Sequence, residues 1–256
     1  MTRHDAERAR FLAGLAATVR LDPAIFSNPG VTVIGRDDRA ESGAAACYSL
    51  DDHLLVWTDP AVVNSLAPLA ERAAAPSHDE LFAFAEAAGF EFVADATMRL
   101  LADHTLPEPA ELPDGLGFET LDPAGPATLE RVTAFTASCD PDDVEEAALD
   151  ELDDFQEFAI RVITDASGRI VVWASAAPWD WDEPFGERRF GDIGVLVADD
   201  ARGKGLGRAA VVETTRALIA DGVEPLYRQT DDNVGSAALA RSLGFTPVTT
   251  LRYFKR

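Results

Sequence analysis

Cations are scarce in this sequence. Against 45 aspartates and glutamates stand 22 lysines and arginines, a formal charge of −23 at pH 7, and Lys204 and Lys255 are its only lysines. So acidic a chain is a poor match for phosphate backbones, which excludes DNA and RNA as expected partners. Two readings of the acidity stay open. One is a cleft that attracts a cationic acceptor such as an amine. The other is a proteome-wide leaning toward Asp, Glu and Ala with arginine in place of lysine. Cysteine is almost missing: Cys47 and Cys139 form no CxxC pair, so neither a disulfide framework nor a zinc site is expected, and no metal. All four histidines precede residue 105. None pairs with another at ligand spacing, and they read as surface or loop residues. The C-terminal half therefore has no histidine to act as a base. Long apolar runs are missing too; none reaches the roughly 18 residues that cross a bilayer. Leu12, Leu15, Ala16 and Val19 fall at helical spacing behind Asp5 and Glu7, which reads as an amphipathic helix and not as a secretion signal. The expectation is a cytoplasmic protein without a membrane partner.

Apolar residues make up 47% of the 256 positions, enough for one large domain or two smaller ones. The segment Thr105 to Gly117 concentrates proline and glycine and reads as a linker. The expected organisation is an N-terminal α/β domain over 1–104, a linker over 105–115 and a C-terminal domain over 116–256. In the C-terminal part, strands are expected at Leu116–Leu121, Phe158–Thr164, Ile170–Ala176, Ile193–Val197, Pro225–Gln229 and Val248–Phe254. Helices are expected at Thr128–Ala137, Val144–Phe155, Gly205–Asp221 and Gly235–Leu243. Hairpin first and strand–helix alternation afterwards predict an α/β (α+β) fold, a mixed central sheet flanked by helices. The N-terminal part offers strands near Val31–Ile34, Ala44–Leu50 and Leu54–Thr58, and helices at Val62–Arg72 and Glu80–Ala88. An internal echo links the halves: Ala85-Glu86-Ala87-Ala88-Gly89-Phe90 matches Ala240-Arg241-Ser242-Leu243-Gly244-Phe245 in spacing. Duplication would explain the match, and so would the frequency of helix-Gly-Phe endings.

The chemistry concentrates in Val195-Leu196-Val197 and the loop that follows. A buried strand leads into Arg202-Gly203-Lys204-Gly205-Leu206-Gly207-Arg208, and a helix begins at once. The first N–H groups of a helix have no intrahelical partner, and with the helix dipole they favour an anion such as a diphosphate. Glycine at 203, 205 and 207 removes side chains that would hold phosphates away. Arg202, Lys204 and Arg208 reverse the sign of the charge locally. The GxGxG spacing is not the GxGxxG of a dinucleotide fold, and Lys204 is followed by glycine where a nucleotide P-loop needs Ser or Thr.

The loop resembles the R/Q-x-x-G-x-G/A motif of the GNAT superfamily of N-acetyltransferases. The segment from Asn233 through Ser236 and Leu239 to Leu243-Gly244-Phe245 is similar to that family's N-x-x-S/A-x-x-L…L-G-F helix. The resemblance implies a donor, acetyl-CoA, whose diphosphate lies on the amides of Gly203 to Arg208. Its pantetheine arm would run along Val195, Leu196 and Val197, with Asn233 and Ser236 near its end. Asn233 would also suit the N-cap of the following helix. The implied function is an acetyl-CoA-dependent N-acetyltransferase acting on a primary amine of a small molecule or peptide by direct attack, as a monomer or homodimer. Alternatives are a longer acyl-CoA donor, for which Ala240 would leave room, and a non-catalytic module that binds CoA or a metabolite.

Amide formation needs a base for the amine, polarisation of the thioester carbonyl and a proton for the thiolate. Asp192, at the start of the central strand, is the candidate base, and a strand-end surface carboxylate is its plainer role. Gly194 is a place for an irregularity that would aim a backbone N–H. Many family members carry a tyrosine where this chain has Ala240. Tyr227 or Ser236 would then supply the proton, as would Tyr253 or a water, or the thiolate leaves unassisted. The loop Trp179-Asp180-Trp181-Asp182-Glu183 precedes the central strand, and tryptophans among carboxylates suit an organic cation. Trp179, Trp181, Asp182 and Arg228 are therefore the expected acceptor contacts, with Arg228 as holder of an acceptor carboxylate or of a loop acid. The N-terminal half has no such glycine loop. Trp57-Thr58-Asp59-Pro60 passes from strand to helix directly, so a degenerate copy there would not bind coenzyme A.

Overall fold

A computed structural model describes residues 3–101, 105–108, 111–122, 125–147, 159–179 and 189–256. The chain is mixed α/β, and it gathers into two units that are not contiguous in sequence: Met1–Arg99 with Gln229–Ala237 and Pro247–Arg256, and Leu100–Arg228 with Ala238–Thr246. The elements of the N-terminal stretch are α1 (Arg3–Thr18), β1 (Gly30–Gly35), β2 (Ala44–Leu50), β3 (His53–Thr58), α2 (Ala67–Ala70), α3 (His78–Ala87) and β4 (Glu91–Leu101). Then follow β5 (Leu116–Leu121), α4 (Pro126–Thr136), α5 (Pro141–Glu146), β6 (Ala159–Asp165), β7 (Ile170–Pro178), β8 (Arg189–Val197), α6 (Leu206–Ala220), β9 (Val223–Thr230), α7 (Val234–Ser242) and β10 (Phe245–Lys255).

The first unit orders its strands β1-β3-β2-β10-β4. Leu15 and Ala16 of α1 are fully buried as helical spacing called for, joined by Phe11, while Leu12 is half-buried and Val19 lies half-buried just beyond the helix. The expected helix over Val62–Arg72 is broken into a 3-10 turn, Pro60–Leu66, and the single turn of α2. Pro68 lacks an N–H, so one continuous α-helix cannot form through it. Strand β4, Glu91–Leu101, is an addition to the strands expected from the sequence. His53 corrects the reading of the histidines as surface or loop groups. It lies buried on β3, with Nδ1 at 2.9 Å from the Asn28 carbonyl oxygen and Nε2 at 3.0 Å from Thr32 Oγ1. The echoed helix endings are alike in form. Gly89 and Gly244 both take the left-handed conformation that closes a helix, and Phe90 and Phe245 are both buried behind them.

The second unit orders its strands β9-β8-β7-β6-β5. Its core joins Val132, Phe135, Ile160, Trp173, Leu196 and Ala210, with a further cluster around Ile193, Leu218, Tyr227 and Phe245. Strand β8 is four residues longer than the apolar pattern showed, because Gly191 interrupts it. That glycine is a packing requirement: a Cβ there would stand 2.9 Å and 3.1 Å from the two Leu218 methyls and 3.2 Å from Val223 Cγ1. Helix α6 thereby lies close on β8. Of the expected helix Val144–Phe155, α5 covers the start, beginning three residues earlier and ending at Glu146, and residues 148–158 lie outside the described part.

This contact is testable by a mutant cycle in urea. Gly191→Ala should cost about 1–3 kcal/mol by overpacking, and Leu218→Ala about 2–5 kcal/mol by leaving a cavity. The double variant should cost clearly less than the sum, since the new methyl enters the space that leucine vacates. Strict additivity would refute the close packing of α6 on β8.

Candidate active site

The site is built where β8 and β9 part. Their parallel ladder pairs Arg189–Asp192 with Val223–Leu226 and stops there, although β8 continues to Val197 and β9 to Thr230. On its other side β8 keeps an unbroken antiparallel ladder with β7, from Pro178↔Gly191 to Val172↔Val197. Gly194 pairs with Ser175 inside that ladder without a register shift. The irregularity is therefore not a bulge at Gly194; it is the loss of the β9 partner beyond Asp192. From Ile193 to Val197 one edge of β8 carries backbone groups with no ladder to β9.

Side chains along β8 alternate between two faces. Val195 and Val197 face α6, for a Cβ on Gly207 would meet Val197 Cγ2 at 3.0 Å and Val195 Cγ2 at 3.8 Å. Gly194 faces the other way, its missing Cβ 3.6 Å from the Ala147 carbonyl just after α5. Asp192 shares the parity of Gly194. Its carboxylate Oδ2 accepts a hydrogen bond from Arg228 Nε at 2.9 Å, with 13% of the Asp192 side chain and 40% of that of Arg228 exposed. Burial pushes the Asp192 carboxyl above the usual 3.8, against the lowering by the Arg228 charge and its hydrogen bonds. Arg228 thus engages an acid, though that acid is Asp192 on the strand.

Beyond Val197 the chain makes a 3-10 turn, Asp199–Ala201, and enters the glycine loop. Gly203 and Gly205 have φ of +75° and +76°, and nothing stands within 4 Å of a Cβ built on either. Left-handed backbone and open space above it explain these two glycines. Gly207 has a different cause, its contact with Val197. Gly205 is the N-cap of α6 and supplies no side-chain cap, and the first intrahelical bond runs from Ala209 N–H to the Gly205 carbonyl. The leading N–H groups of a fifteen-residue helix are thus left facing an open loop beside the unladdered edge.

Acid–base pairs anchor that loop, and these partners were not legible in the sequence. Arg169 pairs with Asp165 at 3.2 Å and Asp200 at 2.7 Å. Ser167 and Arg169 hold the Asp165 carboxyl down to about 2. Arg202 pairs with Asp143 of α5 and, at 3.2 Å, with Asp199. Asp143 belongs to the acidic run Asp140-Pro141-Asp142-Asp143, and its pairing spans 59 positions, which no local pattern encodes. Lys204 Nζ donates to the Asp200 carbonyl oxygen at 2.8 Å.

The remaining expected residues fall as follows. Tyr227 is 1% exposed, its ring 5.4 Å from that of Phe245. Ala240 is fully buried in the same cluster. Asn233 Oδ1 accepts the Ser236 N–H at 2.8 Å, so Asn233 does cap α7, and both residues are grouped with the first unit. Trp179 packs edge-on against Phe190 at 6.1 Å, while Trp181 and Asp182 lie outside the described residues. Among the described residues no three His, Cys, Asp or Glu side chains gather as a metal would require, and no helix is long and apolar enough to cross a membrane.

The acetyltransferase (GNAT) family model matches residues 129–245, which span β8, the loop, α6, β9 and α7. That stretch has the GNAT fold. A tandem GNAT protein from the clavulanic acid biosynthesis pathway aligns with a TM-score of 0.53 at 16% identity, over 71% of this chain and 59% of its own. A GCN5-related N-acetyltransferase-like protein from Streptococcus suis is 17% identical over 98% of this chain and 99% of its own, with a TM-score of 0.49. A GCN5-related N-acetyltransferase from Sphaerobacter thermophilus is 21% identical over 70% of this chain and 56% of its own, with a TM-score of 0.47. No curated protein matches the chain. In the GNAT fold an acyl-CoA-type ligand is the general expectation, and the open β8 edge with the uncapped α6 start fits a ligand that has an amide-bearing arm and a diphosphate.

The Asp192–Arg228 pair gives a signed prediction. The carboxyl of Asp192, followed by carbon-13 NMR, should titrate above 3.8, and Arg228→Gln should move it higher still. A raised folded value means a stability contribution present below the unfolded value and lost as pH rises through the folded one. Asp192→Asn should therefore gain stability relative to wild type as pH climbs through the carboxylate range. A wild-type midpoint at or below 3.8 would contradict the burial argument.

Proposed function

We propose that this chain is an acetyl-CoA-dependent N-acetyltransferase that acylates a primary amine of a small molecule or peptide by direct attack. The observation that supports it is the meeting of an unladdered β8 edge with an uncapped helix start entered through left-handed glycines. Backbone groups of Val195, Leu196 and Val197 would hold the pantetheine arm, and the amides of Gly203 to Arg208 the diphosphate, with Leu206 and Gly207 opening the helix. On the resemblance to the family helix, Asn233 and Ser236 complete the donor-binding set. When bound, acetyl-CoA supplies the acetyl thioester. Asp192 takes a proton from the acceptor ammonium, directly or through a water, and its raised value makes it a stronger base than an ordinary aspartate. A carbon–nitrogen bond then forms, the nitrogen gives up its second proton to water, the carbon–sulfur bond breaks, and the thiolate takes a proton from Tyr227 or Ser236 or leaves unassisted. Trp179, with Trp181, Asp182 and Arg228, would receive the acceptor.

We further propose the domain division 1–104, 105–115 as linker and 116–256, with the N-terminal domain a degenerate GNAT-like copy. Two features of that part support its having no donor site. Strand β3 is laddered to β1 through six successive pairs, from Gly30↔His53 to Gly35↔Thr58, so no edge opens. The turn after β3 is already capped by Asp59, whose carboxylate accepts the N–H groups of Ala61 at 2.8 Å and Gly43 at 3.0 Å.

Free-thiol release from acetyl-CoA against a panel of amines tests the reading, beside acetyl-, propionyl- and succinyl-CoA compared as donors. Release should depend on one class of amine, should vanish in Gly205→Glu, and should fall about 10²-fold or more in Asp192→Asn. Acetyl-CoA should raise the wild-type Tm and leave that of Gly205→Glu unchanged. A Tm shift without release for any amine would reduce the chain to a binding module, and preference for a longer donor would replace the acetyl group. Separately, Trp179→Ala should raise the acceptor KM several-fold with the donor KM unchanged; an unchanged acceptor KM would remove Trp179 from the acceptor site.

A further inference from the structure

One of the three cations in the donor loop is already neutralised by the chain itself. Arg202 Nη2 pairs with Asp143 and lies 3.2 Å from Asp199 Oδ1, while its Nε donates to the Val197 carbonyl oxygen at 3.3 Å. These three partners come from α5, from the 3-10 turn and from the last residue of β8. The guanidinium therefore sits at the root of the loop and ties it to two other elements. Lys204 and Arg208 differ. Lys204 donates to a neutral carbonyl, and the nearby Asp200 carboxylate is taken by Arg169. Arg208, half-buried in the first turn of α6, has no ion-pair partner among the described residues. Moving Arg202 onto a phosphate would leave Asp143 and Asp199 uncompensated beside another anion, and like charges at such range repel.

We propose that Arg202 is a positioning residue and not a phosphate ligand: with Asp143 it braces α5 to the root of the donor loop, and Lys204 and Arg208 carry the charge recognition of the donor's phosphates. This rests on the reading of the loop as the donor site. A planar fork suits the brace because it can serve three partners at fixed angles, which an ammonium cannot.

Binding of coenzyme A to the full chain, measured by calorimetry at low salt and at about 0.5 M NaCl, separates the two kinds of residue. Lys204→Gln and Arg208→Gln should each weaken binding about fivefold at low salt and less than about twofold at high salt, where exposed charges are screened within a few ångström. Arg202→Gln and Asp143→Asn should each weaken binding by a factor that salt does not change. The double variant should be no worse than either single one, because both remove the same contact. Arg202→Lys should behave as Arg202→Gln despite keeping its charge. The proposal is overturned if Arg202→Gln shows the salt sensitivity of Arg208→Gln, if Arg202→Lys binds like wild type, or if Asp143→Asn binds as tightly as wild type. The lysine and asparagine variants keep the test decisive should Arg202→Gln fail to fold. Absence of coenzyme A binding by the wild type would remove the donor-site reading itself and this inference with it.

Discussion

A parallel ladder that stops while both strands run on is the constraint from which the site follows. Backbone N–H and C=O groups inside a sheet are obligatory hydrogen-bonding partners, and β8 beyond Asp192 has given up one of its two sets. Such an edge invites an extended, amide-bearing ligand in place of a strand. The last paired residue is Asp192, so the carboxylate stands at the mouth of the opening. The last residue of the open edge is Val197, so the loop and the start of α6 follow at once. Within the first unit, β3 is laddered to β1 along its whole length and its following turn is capped by its own aspartate. One arrangement asks for a ligand and the other is closed on itself.

Charge in this chain is arranged by pairing more than by sum. A net −23 gives little sign of a phosphate site, yet the loop gathers Arg202, Lys204 and Arg208 within seven positions. Carboxylates then pair with these cations unequally. Asp143 and Asp199 engage Arg202, Asp165 and Asp200 share Arg169, and Lys204 donates to the Asp200 carbonyl. Asp192 shows the opposite balance. It has a cation at hydrogen-bond distance and is still raised, because burial outweighs the single guanidinium that compensates it.

Much of the architecture was legible because local patterns carry it. Strands β2 and β5 begin and end where apolar alternation predicts, and the glycine-punctuated helices α3, α6 and α7 agree to within two residues at each end. The glycine loop could be read because its requirements are local: left-handed glycines, a helix start and nearby cations lie within one stretch. Where reading failed, a nonlocal cause had replaced the local signal. Gly191 hid four residues of β8 because a helix packs there. Pro68 broke an apolar pattern that otherwise fits one helix. His53, a polar residue that read as surface, is buried because Thr32 and the Asn28 carbonyl satisfy both ring nitrogens.

The sequence by itself determined the fold class, the place of the loop and the kind of anion it suits, since periodicity, glycine conformation and helix polarity act over a few residues. It also named Asp192 and Arg228 as residues of interest. Only the tertiary structure decided that these two bind each other, that Gly207 serves helix packing where Gly203 and Gly205 serve the open loop, and that Arg202 is held by Asp143. Each of those facts depends on which side chains from distant segments arrive at the same place. Burial and pairing are properties of that arrival, and no window of sequence contains them.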